Sequence, residues 1–183
     1  MKRTSREMTL RGTIPLQTNR DFLPTNIFEY SNVLDLSKAW RIKGYAVWPL
    51  GFREAFSPGG FTNASIESFL ATDTNIFDTA TVLINNSPED NRQIAWGNCL
   101  IDLGAGAKGN NTKTQAVANE AYWIDPSHII QDELNLYLRI GTSDDFEGEV
   151  KRVNDIVWME EVEITDTESI IFNIKGKSQD LSS

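Results

Sequence analysis

The clearest pattern along the chain is an alternation of apolar and polar residues between Ile129 and Gly141. Every second position in its second half is aliphatic: Leu134, Leu136, Leu138 and Ile140. The positions between them are mostly polar: Glu133, Asn135, Tyr137 and Arg139. Because successive side chains of an extended backbone point to opposite faces, this segment is predicted to be a strand with one buried and one solvated face.

The same two-residue period recurs along most of the chain and predicts further strands. They are expected at residues 8–16, 27–36, 39–48, 75–84, 93–103, 115–124 and 153–164. Residues 65–72 fit either a short helix or a strand. Only Ser37 and Lys38 separate the second and third of these strands, which allows a tight hairpin.

Two of the predicted strands have finer features. In the strand at 39–48, one face is expected to carry Trp40, Ile42, Ala46 and Trp48, and the other Arg41, Lys43 and Tyr45. In the strand at 153–164, Glu160 and Glu161 interrupt the alternation. Such an interruption indicates a β-bulge or an edge strand.

The period changes near the carboxyl end. Thr165 and Glu168 have the spacing of a capping box, in which the two side chains satisfy free amides at a helix start. Ile170, Ile171 and Ile174 follow at helical spacing, and Gly176 is a suitable stop. We therefore predict one short helix at residues 166–176.

Eight or nine strands, one terminal helix and no internal repeat predict an all-β fold. A single jelly-roll antiparallel β-sandwich of about eight strands fits this count best. The length suits a single domain, residues 1–183, with residues 1–6 as a short basic N-terminal arm and residues 166–176 as the C-terminal helix.

The charge pattern limits the possible partners. A net charge of −9 argues against nucleic-acid binding over the whole surface. The amino end is nevertheless basic, through Lys2, Arg3, Arg6 and Arg11. These residues either form a solvated terminus or make a weak electrostatic contact with packaged nucleic acid. The single cysteine, Cys99, is expected to be buried and favours a reducing compartment. Neither a secretory signal nor a membrane-spanning stretch is expected.

Catalytic chemistry has little support in the residues. His128 is the only histidine, so a multi-histidine metal site cannot be built and every serine or cysteine nucleophile would have to use it. We expect no enzyme activity. Five acids on predicted strands keep a sugar-binding or glycoside-hydrolysing sandwich open as an alternative: Glu120, Asp132, Glu133, Glu160 and Glu161. Five tryptophans either line a sugar groove or fill the core: Trp40, Trp48, Trp96, Trp123 and Trp158.

Two loops are candidates for subunit contacts. The segment 49–63 contains Phe52, Phe56 and Phe61, which form either a partner surface or a lid on the domain's own core. The second loop is acidic, through Asp144, Asp145, Glu147 and Glu149. It is either a solvated loop or a calcium bridge between neighbouring subunits, and no other cofactor is expected.

The ending EEVEITDTESIIFNIKGKSQD resembles the C-termini of capsid proteins from small circular single-stranded DNA viruses known from environmental samples. The stretch WIDPSHIIQDEL, from Trp123, is similar to a strand entry in such proteins. The resemblance implies a jelly-roll subunit that self-assembles into an icosahedral shell around single-stranded DNA, in a virion assembled inside the host cell. Such capsids usually begin with a long basic arm, which is short here. A minor or decorating virion protein is a further alternative.

Overall fold

Nine strands and one helix make up the part of the chain that this computed structural model describes. That part comprises residues 1–17, 21–29, 37–50, 63–72, 88, 90–102, 116–123, 125, 127–141 and 150–177. The strands are β1 (Lys2–Gln17), β2 (Leu23–Glu29), β3 (Lys38–Pro49), β4 (Asn63–Ala71), β5 (Gln93–Asp102), β6 (Ala116–Trp123), β7 (Ile129–Ile130), β8 (Glu133–Gly141) and β9 (Val150–Glu163). The helix is α1 (Asp166–Lys177).

The strands form two antiparallel sheets. The four-stranded sheet has the order β1-β9-β3-β7, and the five-stranded sheet has the order β2-β8-β4-β5-β6. The pairs are nested: β1 with β9, β2 with β8, β3 with β7 and β4 with β5. Successive pairs alternate between the two sheets, like one long hairpin wound around a barrel. This winding is a jelly roll, so the predicted fold class is confirmed, and β6 is an additional strand beside β5.

The core lies between the sheets, where alternate side chains of each strand meet. Leu134, Leu136, Leu138 and Ile140 are buried there, as the alternation predicts. One polar contact crosses the core, because the Tyr45 hydroxyl lies 3.3 Å from Ser68 Oγ. Gly97 leaves room for it, since a Cβ at that position would stand 2.7 Å from the Tyr45 oxygen.

The segment 129–141 differs from its prediction in two ways. It forms two strands, because the chain passes from the four-stranded sheet to the five-stranded sheet at Gln131 and Asp132. Its second face is also only partly solvated, since Asn135 and Tyr137 are fully buried. Residues on both faces of this strand therefore contribute to packing.

The hairpin allowed by Ser37 and Lys38 does not form, because β2 and β3 belong to different sheets. The second strand also begins earlier than predicted, at Leu23, and the ambiguous residues 65–72 are largely strand β4. Residues 30–36 and the predicted strand at 75–84 lie outside the described residues.

A bulge in β3 inverts the predicted faces of that strand. The pairing of β3 with β9 shifts between Ile42 and Gly44, so one extra residue separates the two halves. Ile42 faces the core as expected, but beyond the bulge Tyr45 and Val47 are buried instead of Trp48. The predicted edge position of Glu160 and Glu161 is wrong, since β9 lies between β1 and β3. The irregular pairing near them occurs in the two neighbouring strands.

Helix α1 begins with the predicted capping box. The backbone amide of Thr165 donates to Glu168 Oε2 over 2.8 Å, and the amide of Glu168 donates to Thr165 Oγ1 over 3.2 Å. The helix ends one residue later than predicted. Its Phe172 packs on a small buried cluster of Ala39, Ile129, Val162 and Ile164. This contact holds the helix against one end of the sandwich.

Candidate interaction surfaces

Two groups of predicted site residues lie outside the described residues. They are the loop phenylalanines Phe52, Phe56 and Phe61, and the acidic residues Asp144, Asp145, Glu147 and Glu149. Both the phenylalanine interface and the calcium bridge therefore stay predictions. Within the described ranges, no group of three or more histidine, cysteine or acidic side chains could hold a metal ion.

The basic amino end is part of strand β1 instead of a separate arm. Three of its cations form ion pairs with the end of β9: Lys2 Nζ with Glu163 at 3.7 Å, Arg3 Nε with Glu160 at 2.6 Å and Arg6 Nη1 with Glu161 at 3.5 Å. Thr4 Oγ1 also donates to the Glu161 carbonyl over 3.0 Å. These contacts hold residues 2–6 against the sheet, whereas nucleic-acid contact by these residues stays a prediction.

Glu160 is the centre of this charged end. Its side chain is only 4% exposed and is bound by Arg3 and Arg41, with Arg41 Nε at 2.8 Å. Two guanidinium groups therefore compensate a carboxylate that would be costly to bury alone. Nearby, Glu7 accepts hydrogen bonds from Lys43 Nζ at 2.8 Å and Arg3 Nη2 at 2.9 Å. Lys43 first, and then Arg3, lower the pKa of the Glu7 carboxyl.

Arg11 has a different environment. It is exposed on β1 opposite Ile156 and has no ion pair in the parts of the chain described. Arg152, on β9, is exposed in the same way. The sequence analysis did not single out Arg152. Its signal is the alternation along β9, in which Val153 and Val157 are buried and the positions of Arg152, Asn154 and Trp158 face outward.

The isoleucines of α1 face solvent. Ile170, Ile171 and Ile174 are 62%, 55% and 62% exposed, whereas Ser169 is buried and Phe172 is partly buried. A helix on a globular domain normally turns its apolar stripe toward the core. Here the stripe with helical spacing lies on the outer side. A contiguous apolar surface of this kind is typical of a protein interface.

None of the five tryptophans is fully buried, although Trp40 packs against the main core cluster and Trp96 against a smaller one, so core filling holds only in part. Trp40, Trp48 and Trp96 are half-buried. Trp123 on β6 is 38% exposed and Trp158 on β9 is 41% exposed, and these strands belong to different sheets. The two exposed indoles therefore do not line one common sugar groove.

The acids proposed for sugar chemistry lie in three separate places. Glu160 and Glu161 are held by arginines at the end of β9. Glu120 is exposed on β6 and accepts a hydrogen bond from the Tyr122 hydroxyl at 3.0 Å, which raises the pKa of Tyr122. Asp132 and Glu133 line a small cavity beside α1.

His128 also lines that cavity, and its side chain is fully buried. Its Nδ1 is 3.5 Å from Asp125 Oδ2, which is long for a hydrogen bond, and its ring meets Phe172 edge-on at 6.2 Å. Asp125 also accepts from Ser127 and Lys175. His128, and then Lys175 and Ser127, lower the pKa of the Asp125 carboxyl. The group forms a turn that anchors the last part of α1.

The comparisons with known proteins add no argument about fold or function. No family model and no curated protein matches the chain. A solved structure of turnip yellow mosaic virus is similar at 8% identity over 90% of this chain and 99% of the other, with a TM-score of 0.30. One of Desmodium yellow mottle tymovirus is similar at 11% identity over 88% and 84%, also with a TM-score of 0.30. At so low a TM-score neither likeness carries an argument, and the jelly-roll assignment depends on the strand order.

No helix among the described residues is long and apolar enough to cross a membrane. Cys99 is buried in the core, as expected, and burial raises the pKa of its thiol.

Proposed function

We propose that this chain is a viral shell protein that associates with copies of itself into a closed particle around a nucleic-acid genome. Jelly rolls serve as capsid subunits, lectin domains and cupins, so the fold limits the possible functions but does not select one of them. The observation that carries the proposal is the solvent-facing isoleucine stripe of α1. A subunit whose function is association needs such a surface.

The stripe can contribute to association but cannot hold two subunits together by itself. Complete burial of one isoleucine is worth about 1.5–3 kcal/mol, so covering three that are more than half exposed gains roughly 3–5 kcal/mol for each helix. This gain is smaller than a stable dimer needs by itself, because association also costs rotational and translational freedom. Further contacts are therefore required, and the three loop phenylalanines are our candidates for them.

A second copy of the same helix is the occupant that the charges favour. Asp166 and Glu168 lie in the first turn of α1, and Lys175 lies in its last turn. Two such helices related by a two-fold axis perpendicular to them run antiparallel. The acidic start of each then lies beside the end of the other that carries Lys175, which also binds Asp125 of its own subunit. Their helix dipoles also oppose each other favourably in this arrangement.

Other parts of the proposal depend on the sequence alone. The resemblance to capsids of single-stranded DNA viruses supports an icosahedral shell, a DNA genome and a place in the virion. The absence of a catalytic motif supports a structural role without enzyme activity. Calcium bound by Asp144, Asp145, Glu147 and Glu149 of adjoining subunits would then be an accessory to assembly.

Expression of the chain alone, followed by light scattering and negative-stain microscopy, tests the proposal. Homogeneous large particles are expected, and Ile171→Asp should prevent their formation while leaving the circular dichroism spectrum unchanged. Val150→Asp is the matched control, because Val150 is 60% exposed and lies on β9 instead of the helix. Phe56→Asp should weaken assembly in the same assay.

Two results would contradict the proposal at different levels. A wild-type chain that stays monomeric at every salt and calcium concentration would overturn the shell function. Normal particles from Ile171→Asp would remove the helix contact and leave the shell function standing. A decorating virion protein would instead stay monomeric alone and join particles made by another protein.

A further inference from the structure

The outer face of the four-stranded sheet carries an unusual set of side chains for this acidic protein. Three strands contribute to it in paired rows: Thr9, Trp158 and Gly44; Arg11, Ile156 and Ala46; Thr13, Asn154 and Trp48. Directly paired residues point to the same side of a sheet, and the alternate residues of β9, such as Val153 and Val157, face the core. This face is therefore turned away from the sandwich interior.

We infer that this face binds single-stranded nucleic acid, with Trp158 stacking on a base and Arg11 and Arg152 neutralising phosphates. The inference rests on the proposed shell function for its setting, since a shell protein has a genome to contact. It is carried by the side chains themselves, which combine an exposed indole with two arginines, Arg11 and Arg152, that form no ion pair within the described part of the chain.

The charge of the face contrasts with that of the chain. The whole protein has a net charge of −9. From the row of Thr9 to the row of Pro15, however, the described residues of this face include Arg11 and Arg152 and no acid. One row beyond Thr9, Glu7 lies beside Trp158, but its carboxylate is bound by Lys43 and Arg3. Asp155 lies on the same strand as Arg152 but points into the core. Phosphates are attracted to local positive charge, so they would concentrate at this face.

Trp158 supplies the stacking platform. It is 41% exposed, and its six-membered ring lies over Gly44, where a Cβ would stand 3.3 Å from Cε3. The missing side chain at Gly44 lets the indole lie close to the sheet. Arg11 is a diagonal neighbour of Trp158 across the β1–β9 pair, at a typical separation of about 7–8 Å. A base on the indole and its phosphate on the arginine can therefore belong to one nucleotide.

The geometry favours single strands over duplexes. A sheet face offers stacking to bases that are unpaired, whereas bases in a duplex are covered by their neighbours. Aromatic residues with nearby cations bind such strands with little sequence preference. Duplex recognition would instead need an element that enters a groove.

Fluorescence anisotropy with a labelled oligothymidylate, at several salt concentrations, tests the inference on the full chain. Arg11→Ala and Arg152→Ala should each weaken binding and reduce the slope of log K against log salt by about 0.7, the value for one phosphate contact on a single strand. Trp158→Leu should weaken binding on the order of tenfold without changing that slope. Trp158→Phe should restore part of the affinity.

Lys2→Ala is the matched control, because it removes one charge from the same strand. Lys2 pairs with Glu163 outside the proposed face, so this variant should bind like the wild type. Equal losses from Lys2→Ala and Arg11→Ala would overturn the inference, since attraction would then be spread along the strand. Absence of binding by the wild type at low salt would overturn it too.

A glycan array run in parallel distinguishes another ligand class. Binding of a glycan that Trp158→Leu abolishes, with no binding of oligothymidylate, would assign the face to sugars and overturn the inference. The two proposals can also fail separately. Particles without oligonucleotide binding would leave the shell function intact, whereas binding by a chain that never assembles would remove the shell function alone.

Discussion

The outer faces of the two sheets differ in what covers them. On the five-stranded sheet, one row of side chains crosses all strands: Pro24, Tyr137, Phe69, Trp96 and Tyr122. Phe69 and Tyr137 are fully buried and stack at 4.4 Å, and Phe22 meets Phe69 edge-on at 5.0 Å. Arg139 in turn lies 4.4 Å from the Phe22 ring. On the four-stranded sheet, Trp158 is exposed together with Thr9, Arg11 and Thr13.

This difference separates structural roles from binding roles. A sandwich needs only the inner faces of its sheets for its core, so a second buried face adds stability that the fold itself does not require. The five-stranded sheet has such a second layer over Phe69 and Tyr137 at its centre, whereas Leu100 and Tyr122 toward its β6 edge are exposed. The four-stranded sheet has no second layer among the described residues, and its exposed indole and cations are accessible to a ligand.

The largest expected loss of stability comes from truncating a buried side chain on the outer face of the five-stranded sheet. Phe69→Ala removes a side chain with no exposed surface and two aromatic neighbours, so it should lower the free energy of unfolding by about 3–5 kcal/mol. Urea denaturation measures this change. Trp158→Ala removes a larger side chain from the outer face of the four-stranded sheet, and it should lower the free energy of unfolding by about 1 kcal/mol or less. Similar losses for the two variants would show that the faces are equally packed.

The sequence predicts the strands well but not which of their faces are covered. Alternation identifies the buried side of β8, yet nothing in it distinguishes a solvated Tyr137 from one that packs against another aromatic ring. The bulge in β3 inserts one residue and reverses every later position, so Tyr45 and Trp48 exchange the faces predicted for them. Such a shift depends on the partner strand and leaves no local signal.

The candidate surfaces show the same limit. Helical spacing correctly groups Ile170, Ile171 and Ile174 on one side of α1, but the side that docks is chosen by Phe172 and its distant contacts. The basic amino end reads as a free arm because its partners, Glu160 and Glu161, are more than 150 residues away, as the separation of 155 between Arg6 and Glu161 illustrates. Charge alone does not reveal such pairing.

A second prediction concerns Glu160 and its arginine partners at the charged end of the four-stranded sheet. Arg41→Ala leaves the buried Glu160 with one guanidinium instead of two, so it should lower the free energy of unfolding by about 2 kcal/mol. The double variant with Glu160→Gln should recover part of this loss, because the uncompensated charge is then removed. If Arg41→Ala had no effect in urea denaturation, Glu160 would have to be compensated by Arg3 alone.

A smaller effect is expected where the two sheets touch through polar groups. Tyr45→Phe removes the hydroxyl that contacts Ser68 at 3.3 Å and should cost about 1 kcal/mol. Burial raises the pKa of Tyr45, so the hydroxyl stays protonated in the folded protein at neutral pH. Ser68→Ala, and the double variant, measure how much of the loss belongs to the contact. Fully additive losses would mean that the two hydroxyls act independently.

The smallest expected effect is a pH dependence of stability, caused by a buried carboxyl on the inner side of the four-stranded sheet. Asp155 is buried opposite Gly12, its Oδ1 has no hydrogen-bond partner among the described residues, and burial raises the pKa of its carboxyl above 3.8. At a pH below 3.8 the carboxyl is protonated in both the folded and the unfolded protein, so its ionisation does not change the free energy of unfolding. As the pH rises, the unfolded chain loses its proton first, so the folded protein loses stability until its own pKa is passed.

Asp155→Asn should therefore stabilise the protein near neutral pH, by about 1 kcal/mol or less, and leave it unchanged in acid. Urea denaturation at both pH values measures this, and a variant that is less stable at neutral pH than the wild type would mean that the carboxylate is compensated.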